Sequence, residues 1–598
     1  MSHSSVSPRG KKQSPRRRAI LISLLGLGLL MASVITWVGV RGLVAQDELT
    51  NAVALSTKIR AAIVGGDTAT AERLTSQLIT QTATARDLTD DPIWRGFELI
   101  PGLGPNFSST RKIAAVVDDV AEHAVYPLVT TAGGVRLADL RPVNGAIDFQ
   151  PLLAVQPRIA EVKNVLLSAQ RDTRAIDARS SIGAIQKASA QLASTIGAAV
   201  VAVESIDRAA RILPAMLGAN GPRNYLILFQ TPAELRATGG IAGALALVHT
   251  ENGHLTLTAQ ATSGDFPHHP EPVLPLSAET TALYGDITGE FIQDVSLTPN
   301  FARSAELARE MWRLRFGVSV DGVITADPVA LSYLLTATGP IPLVSGEKLT
   351  SSNVVQLLYS DVYQRFVHPA DQDRFFASAA AAVFAELAKG KMEPKSLVAA
   401  LTRSGSERRI LLWSAHPEDQ AVLADTTLAG GLPISDAVTK RFGVYFNDAT
   451  GAKMDRYLKI SVGVGQLVCR SDRRAEFRVM VSMKNTLPTN AVDSLPAYVS
   501  GGVHFGVPVG SVKTNISVYG AKGTQSLGVS HNGENVGYQA ATDDGYVVSA
   551  IGVQLAPQEA TELIFSWLND APFSGQILSE GNPVFISNLL VNRGSKCI

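Results

Sequence analysis

Cysteine is almost missing from this chain, with Cys469 and Cys597 the only two among 598 residues. So few thiols exclude a disulfide-dense scaffold and a multi-cysteine zinc module. No Gly-Lys-Ser/Thr phosphate loop occurs, nor a Gly-x-Ser-x-Gly nucleophile turn, so nothing points to a P-loop nucleotidase or a serine hydrolase. Positive charge has no surplus, with 53 Lys and Arg against 53 Asp and Glu. Six of those bases (Arg9, Lys11, Lys12, Arg16, Arg17, Arg18) lie in residues 1–18, where there is no acid. The rest of the chain is therefore slightly acidic, and nothing in its charge balance supports a basic nucleic-acid-binding face outside that tail. Aromatics amount to 6% and are scarcest in the first third.

What is present begins with Ala19 to Val40, a stretch without a charged side chain. It is long enough to cross a bilayer as one helix, and the basic flank before it keeps the tail in the cytoplasm. The expectation is a single-pass plasma-membrane protein with a cytoplasmic N-terminus and its bulk extracytoplasmic. Leu43-Val44-Ala45 could serve as a cleavage site, but the apolar stretch is longer than a signal-peptide core, which favours a retained signal anchor. Cys469 and Cys597 then both lie in an oxidising compartment. They form either one disulfide or two buried thiols.

Periodicity divides the remainder. Residues 45–215 read as a helical stalk or bundle: Asp67 caps an Ala/Thr/Leu-rich run, and Ile159, Val162, Leu166 and Ala169 recur at helical spacing. A Pro/Gly-rich interruption from Pro92 to Asn106 breaks the helices. Residues 220–450 alternate strands and helices, as a layered α/β domain does. There Thr298-Pro299 is expected to open a helix ended by Gly317, and Thr350 to cap one running to Phe366. From 455 to 598 a two-residue period takes over, as in Ala475, Phe477, Val479, Val481 and Met483, which predicts a β-sandwich. Asn532-Gly533 is a hairpin turn signal.

The most informative run is Asn224 to Gly240. An apolar strand pattern gives way to Pro232, Glu234, Arg236 and Gly239-Gly240, and then to a second apolar run, Ile241 to Val248. This predicts a charged turn presented at the edge of a sheet, with Glu234 and Arg236 as candidate ligand-binding residues. The plainer alternative is that the two side chains pair with each other or with backbone. Asn447, Asp448 and Lys453 either line a cleft at a strand junction or cap a turn. His268-His269, with Asp265 and Glu271 nearby, could suggest a metal. Adjacent histidines between prolines, however, point in different directions.

The run Gly221-Pro222-Arg223-Asn224-Tyr225 through Glu234-Leu235-Arg236-Ala237-Thr238-Gly239-Gly240 resembles the signature of the bacterial domain of unknown function 4012 family. Asp294-Val295-Ser296-Leu297-Thr298-Pro299-Asn300-Phe301, Val320-Asp321-Gly322-Val323-Ile324 and Phe446-Asn447-Asp448-Ala449-Thr450-Gly451-Ala452-Lys453-Met454 are similar to its later blocks. In layout the middle of the chain also resembles the LytR-CpsA-Psr transferases. These are single-span anchored proteins that move glycopolymers from polyprenyl-pyrophosphate lipids onto peptidoglycan. The similar parts are Gly322 to Asp327, Thr338 to Ile341, Tyr363-Gln364-Arg365 and Asp373-Arg374-Phe375. That second resemblance implies a phosphate clamp of Arg236, Arg365 and Arg374, with Asp294 and Asp373 as carboxylates for magnesium and Asp373 as the catalytic residue, holding that ion or acting as base. The transferases' Ser-Ile-Pro-Arg-Asp block has no counterpart here, so whether the chain is an enzyme stays open. Two functions are carried forward. One is binding, and transfer, of a polyprenyl-phosphate-linked glycopolymer, with loss of binding but unchanged folding expected for Arg236→Ala. The other is a non-catalytic envelope scaffold that binds polysaccharide or protein.

Overall fold

The structure is a computed structural model that describes residues 15–132, 142–143, 145–503, 505–583 and 590–591. It divides into two compact units, residues 1–136 with 150–210 and residues 137–149 with 211–598.

The first unit is helical. Its opening helix, Pro15–Gly65, is 51 residues long and does not stop where the apolar stretch ends. Nothing after Val40 breaks it, since neither a proline nor a glycine pair occurs before Gly65-Gly66. Its buried Ala52, Leu55 and Ile59 pack with Ala71, Leu74 and Leu78 of the helix Thr68–Thr89. Asp67 caps that second helix, its carboxylate accepting from the Thr70 N–H at 3.0 Å. Helices Gly104–Val120, Gln150–Arg174 and Gly183–Met216 complete the bundle around Val116, Val162, Leu166, Ile196, Val200 and Val203. Gly183–Met216 is also long and apolar enough to cross a membrane. One of its faces is buried in this core, and its Asp207 pairs with Lys163 at 2.5 Å.

The second unit starts with a mixed sheet. Its strands are β1 (Arg223–Arg236), β2 (Gly239–Glu251), β3 (His254–Thr262) and β4 (Gly322–Ala326). A small ladder of β5 (Ile341–Pro342) and β6 (Lys348–Leu349) follows, and then β7 (Ile410–Ser414). The sheet order is β3-β2-β1-β4-β7, with β1 and β4 parallel and the other pairs antiparallel. Alternate side chains face opposite layers, as the pleat requires. Leu226, Leu228 and Val323 meet the helix Phe301–Phe316, and Ile324 and Leu412 meet Ile212 and Leu423 on the other side.

Two sequence expectations shift here. Asn300, extended at ψ 96°, is the cap of Phe301–Phe316, and Thr298 sits two residues further out, accepting from the Asn300 N–H at 3.3 Å. The segment after Thr350 is not one helix. Thr350 and Asn353 cap each other, and the chain then passes through a wide π-helical turn at Leu357–Asp361. That turn buries four consecutive residues, Leu357 to Ser360, which a regular helical face cannot do.

The remaining strands form two sheets. They are β8 (Thr439–Asp448), β9 (Leu458–Cys469), β10 (Ala475–Asn485), β11 (Val512–Tyr519), β12 (Thr524–His531), β13 (Glu534–Val536), β14 (Gln539–Asp543), β15 (Tyr546–Leu555), β16 (Ala560–Asn569), β17 (Gln576–Gly581) and β18 (Leu590–Val591). One sheet runs β13-β12-β16-β10-β9-β18 and the other β14-β15-β11-β8-β17. Their facing sides share a core that includes Phe477, Val479, Phe565 and Trp567 from the first sheet and Phe442, Phe446, Ile516 and Val518 from the second. β12 and β13 join through Asn532-Gly533, both at positive φ (51° and 90°), as an inverse-turn hairpin needs. The Cys469 side chain and Cys597 lie outside the described residues, and so does the expected bridge.

Candidate functional site

The site begins with an irregularity in β1. Its register against β2 shifts between Thr231 and Leu235, where Pro232 has no N–H to give the ladder. The strands nevertheless close tightly beyond it. A Cβ on Gly240 would stand 2.4 Å from the Thr231 carbonyl, so only glycine fits there. The displaced end of β1 leaves backbone donors without ladder partners, and a buried donor must find one. They are met by side chains from more than 200 positions downstream. The Leu235 N–H donates to Asp455 Oδ2 at 2.7 Å and the Ala237 N–H to Asn447 Oδ1 at 2.8 Å. Asn447 Nδ2 continues to the Leu297 carbonyl at 3.0 Å.

Glu234 and Arg236 therefore do not form a charged turn at a sheet edge. They lie within the last residues of β1 and each is only 6% exposed. Arg236 Nη2 donates to Glu234 Oε1 at 3.0 Å and to Asp294 Oδ1 at 3.1 Å, while Nη1 donates to the Leu235 carbonyl and Nε is buried without a partner. Lys453 Nζ closes on the other oxygen of Glu234. Asp448, at the end of β8, accepts from the Thr450 and Gly451 N–H groups at 3.1 and 2.7 Å. The plainer sequence alternative, pairing of Glu234 with Arg236, describes the geometry, with Lys453 and Asp294 added.

Four carboxyl groups thus meet two cations, and their protonation separates accordingly. Burial opposes ionisation of Glu234, but Lys453 and Arg236 together outweigh it and hold its carboxyl below the usual value. For Asp294 burial outweighs Arg236 and the carboxyl rises. Asp448 is pushed up to about 6 by burial and by the nearby Glu234 charge. Asp455 rises well above the usual range through burial and the neighbouring Asp448.

This lattice forms part of the wall of a cavity of about 970 Å³ between the mixed sheet and the strand layer. Glu234, Arg236, Asp294, Asn447 and Asp448 line one side; Asn515, Ser517, Tyr538, Gln539 and Phe505 line another; Gln293 and Tyr284 also contribute. Arg236 is the only cation among the described lining residues.

Arg365, Arg374 and Asp373 are not on this cavity. Arg365 pairs with Glu347 at 3.0 Å, and Arg374, 78% exposed, pairs with Asp371 one turn away on its own helix. Asp373 is half-buried, its carboxyl raised by burial and by Asp265, whereas Asp294 faces Arg236. No cluster of three or more potential metal ligands exists among the described residues. His268 stacks on Phe291 at 4.5 Å between ring centres, and Asp265 caps a turn by accepting from the Thr262 N–H. Sequence reasoning passed over Asp455, which looks like an ordinary turn acid until its contact with Leu235 is seen.

The fold and site define a protein with a helical unit and a second unit in which a mixed sheet is locked onto a two-sheet strand layer through buried ion pairs. Within it, residues 220–363 match the family described as protein of unknown function (DUF4012), and this segment belongs to that family. The block Phe446 to Met454 lies beyond the matched residues. No curated protein and no solved structure is similar enough to this chain to match it.

Proposed function

We propose that this is a single-pass, membrane-anchored envelope protein with its bulk outside the cytoplasm. In this reading its second unit binds a neutral saccharide stretch of an envelope polymer and does not transfer it. The observation that carries the reading is the state of Arg236. Both of its carboxylate partners are already in place, its remaining hydrogen bond is to the Leu235 carbonyl, and the other polar side chains of the cavity wall are acids, amides and hydroxyls, set among aliphatic ones such as Ile241, Ile287 and Ile551. Such a wall repels a pyrophosphate but suits a polyol, whose hydroxyls both donate to carboxylates and accept from amides. Tyr538 and Phe505 offer apolar ring surface beside those groups. The membrane part is supported by the helix Pro15–Gly65, whose most apolar window has mean hydropathy 2.0 and is almost unburied, and by the basic tail before it.

The test is calorimetric titration of the full chain in lipid nanodiscs with phosphate-free cell-wall oligosaccharides and, separately, with a polyprenyl phosphate. Saccharide binding that weakens about threefold to tenfold in Asn515→Ala, the size expected for one lost hydrogen bond, supports the reading. Binding of the polyprenyl phosphate alone would replace it with the transferase-like function.

A further inference from the structure

The apolar part of the long first helix ends at a defined height. Arg41 is the first charged residue after Val40. Its guanidinium lies 4.3 Å from the centre of the Trp37 ring, and it donates to the Leu88 and Asp87 carbonyls at 3.0 and 2.8 Å. It also pairs with Asp91 at 3.3 Å. The returning helix Thr68–Thr89 therefore comes back to the level of Arg41. The connection after it is pinned there too, because the Trp94 ring lies beside Gly42 and its Nε1–H donates to the Phe107 carbonyl at 3.1 Å. A second connection reaches the same end of the bundle. The Ile182 N–H donates to Asn106 Oδ1 at 2.8 Å, and the Ser181 hydroxyl donates to the Pro105 carbonyl at 3.1 Å.

These two connections display apolar side chains outward: Leu99 at 85% exposure, Ile182 at 61%, Leu103 at 54%, and Ile100 beside them. Water-facing turns seldom carry such a cluster, and contiguous exposed apolar surface marks a docking face. Three basic side chains around it are paired, Arg95 with Asp90, Arg111 with Glu98 and Arg179 with Asp177, and Lys112 is exposed near Asp177. Burial of apolar surface is therefore the main driving force, with attraction to anionic headgroups secondary.

We propose that this end of the helical unit is seated in the membrane interface, with Leu99, Ile100, Leu103 and Ile182 inserted among the outer acyl chains beside the span. The occupant is the lipid bilayer itself, because the patch sits at the level where the apolar helix leaves it. The inference rests on residues 19–40 crossing the membrane. Its consequence is a span held at two points, so that the bundle keeps a fixed tilt on the surface.

The test uses spin labels on the full chain, with Cys469 and Cys597 replaced by serine, reconstituted in vesicles of phosphatidylcholine with and without phosphatidylglycerol. One label is placed by Leu99→Cys, a position exposed enough to accept it, and a second by Leu30→Cys within the span. Collision with oxygen and with a water-soluble nickel chelate reports depth. The expected result is a Leu30 label deep in the bilayer and a Leu99 label about 5–10 Å below the headgroups, equally in both lipids. A deep Leu30 label with a chelate-accessible Leu99 label overturns the inference and leaves the span standing. So does a Leu99 label shielded from both reagents, which would mean protein contact. A chelate-accessible Leu30 label removes the span, and the inference with it.

Discussion

Glu234 is the residue on which the buried lattice turns, since it is shared by Arg236 and Lys453. Removing one partner of a buried pair leaves the other charge without compensation, at a cost of about 3–5 kcal/mol. Glu234→Ala is therefore expected to destabilise the second unit by that amount in denaturant unfolding. Adding Lys453→Met should recover most of it, because the stranded cation is gone; equal stability of the single and double variants would show that Lys453 finds another partner. Arg236→Ala falls under the same logic, so the sequence expectation of unchanged folding is corrected by the burial of this side chain. Protonation acts in the other direction. Asp448 has a folded pKa of about 6 against 3.8 as its ordinary value, so between those values the folded protein holds the extra proton. Its contribution to stability is therefore lost as pH rises through that window. Glu234, held low, contributes in full above its ordinary 4.5 and loses that contribution as pH falls below it. The thermal midpoint should accordingly rise as pH falls from 7 to about 5. Asp448→Asn should flatten that slope, whatever it does to absolute stability. An unchanged slope would take Asp448 out of the account.

Among the elements, β10 was legible because its pleat buries one side in strict alternation from Ala475 to Asn485, and a two-residue period has no other reading. The Asn532-Gly533 hairpin was legible for an equally local reason. The end of β1 was not. Pro232 and Gly239-Gly240 read as turn residues, yet the turn shrinks to Ala237-Thr238 because the bulge before it is stabilised by Asp455 and Asn447, which no local pattern reveals. Burial of Glu234 and Arg236 was illegible for the same reason, since their partners are distant in the chain. The tight closure gives this element its own prediction. Gly240→Ala would press a methyl against backbone that cannot rotate aside, and should cost about 3 kcal/mol. Gly243→Ala, on the same strand with nothing within 4 Å of the added carbon, should stay within about 0.5 kcal/mol. Similar thermal midpoints for the two variants would show that β2 can draw away from Thr231.

At the scale of the molecule, the mixed sheet and the strand layer belong to one compact unit, held by contacts that a domain boundary near residue 450 would cut. The alternation of strands and helices and the later two-residue period both announced their own regions. Neither announced that the regions share a charged core, because electrostatic complementarity leaves no periodic trace. That sharing also sets a clock. Lys453 follows Glu234 by 219 positions, and at about 5–20 residues per second a ribosome takes roughly 10–45 s to deliver it. For all of that interval Glu234 has Arg236 as its sole cationic partner, and the Leu235 N–H is without the carboxylate that takes it. The nascent mixed sheet must wait open at that edge, and a chaperone that shelters the edge has the whole interval in which to act.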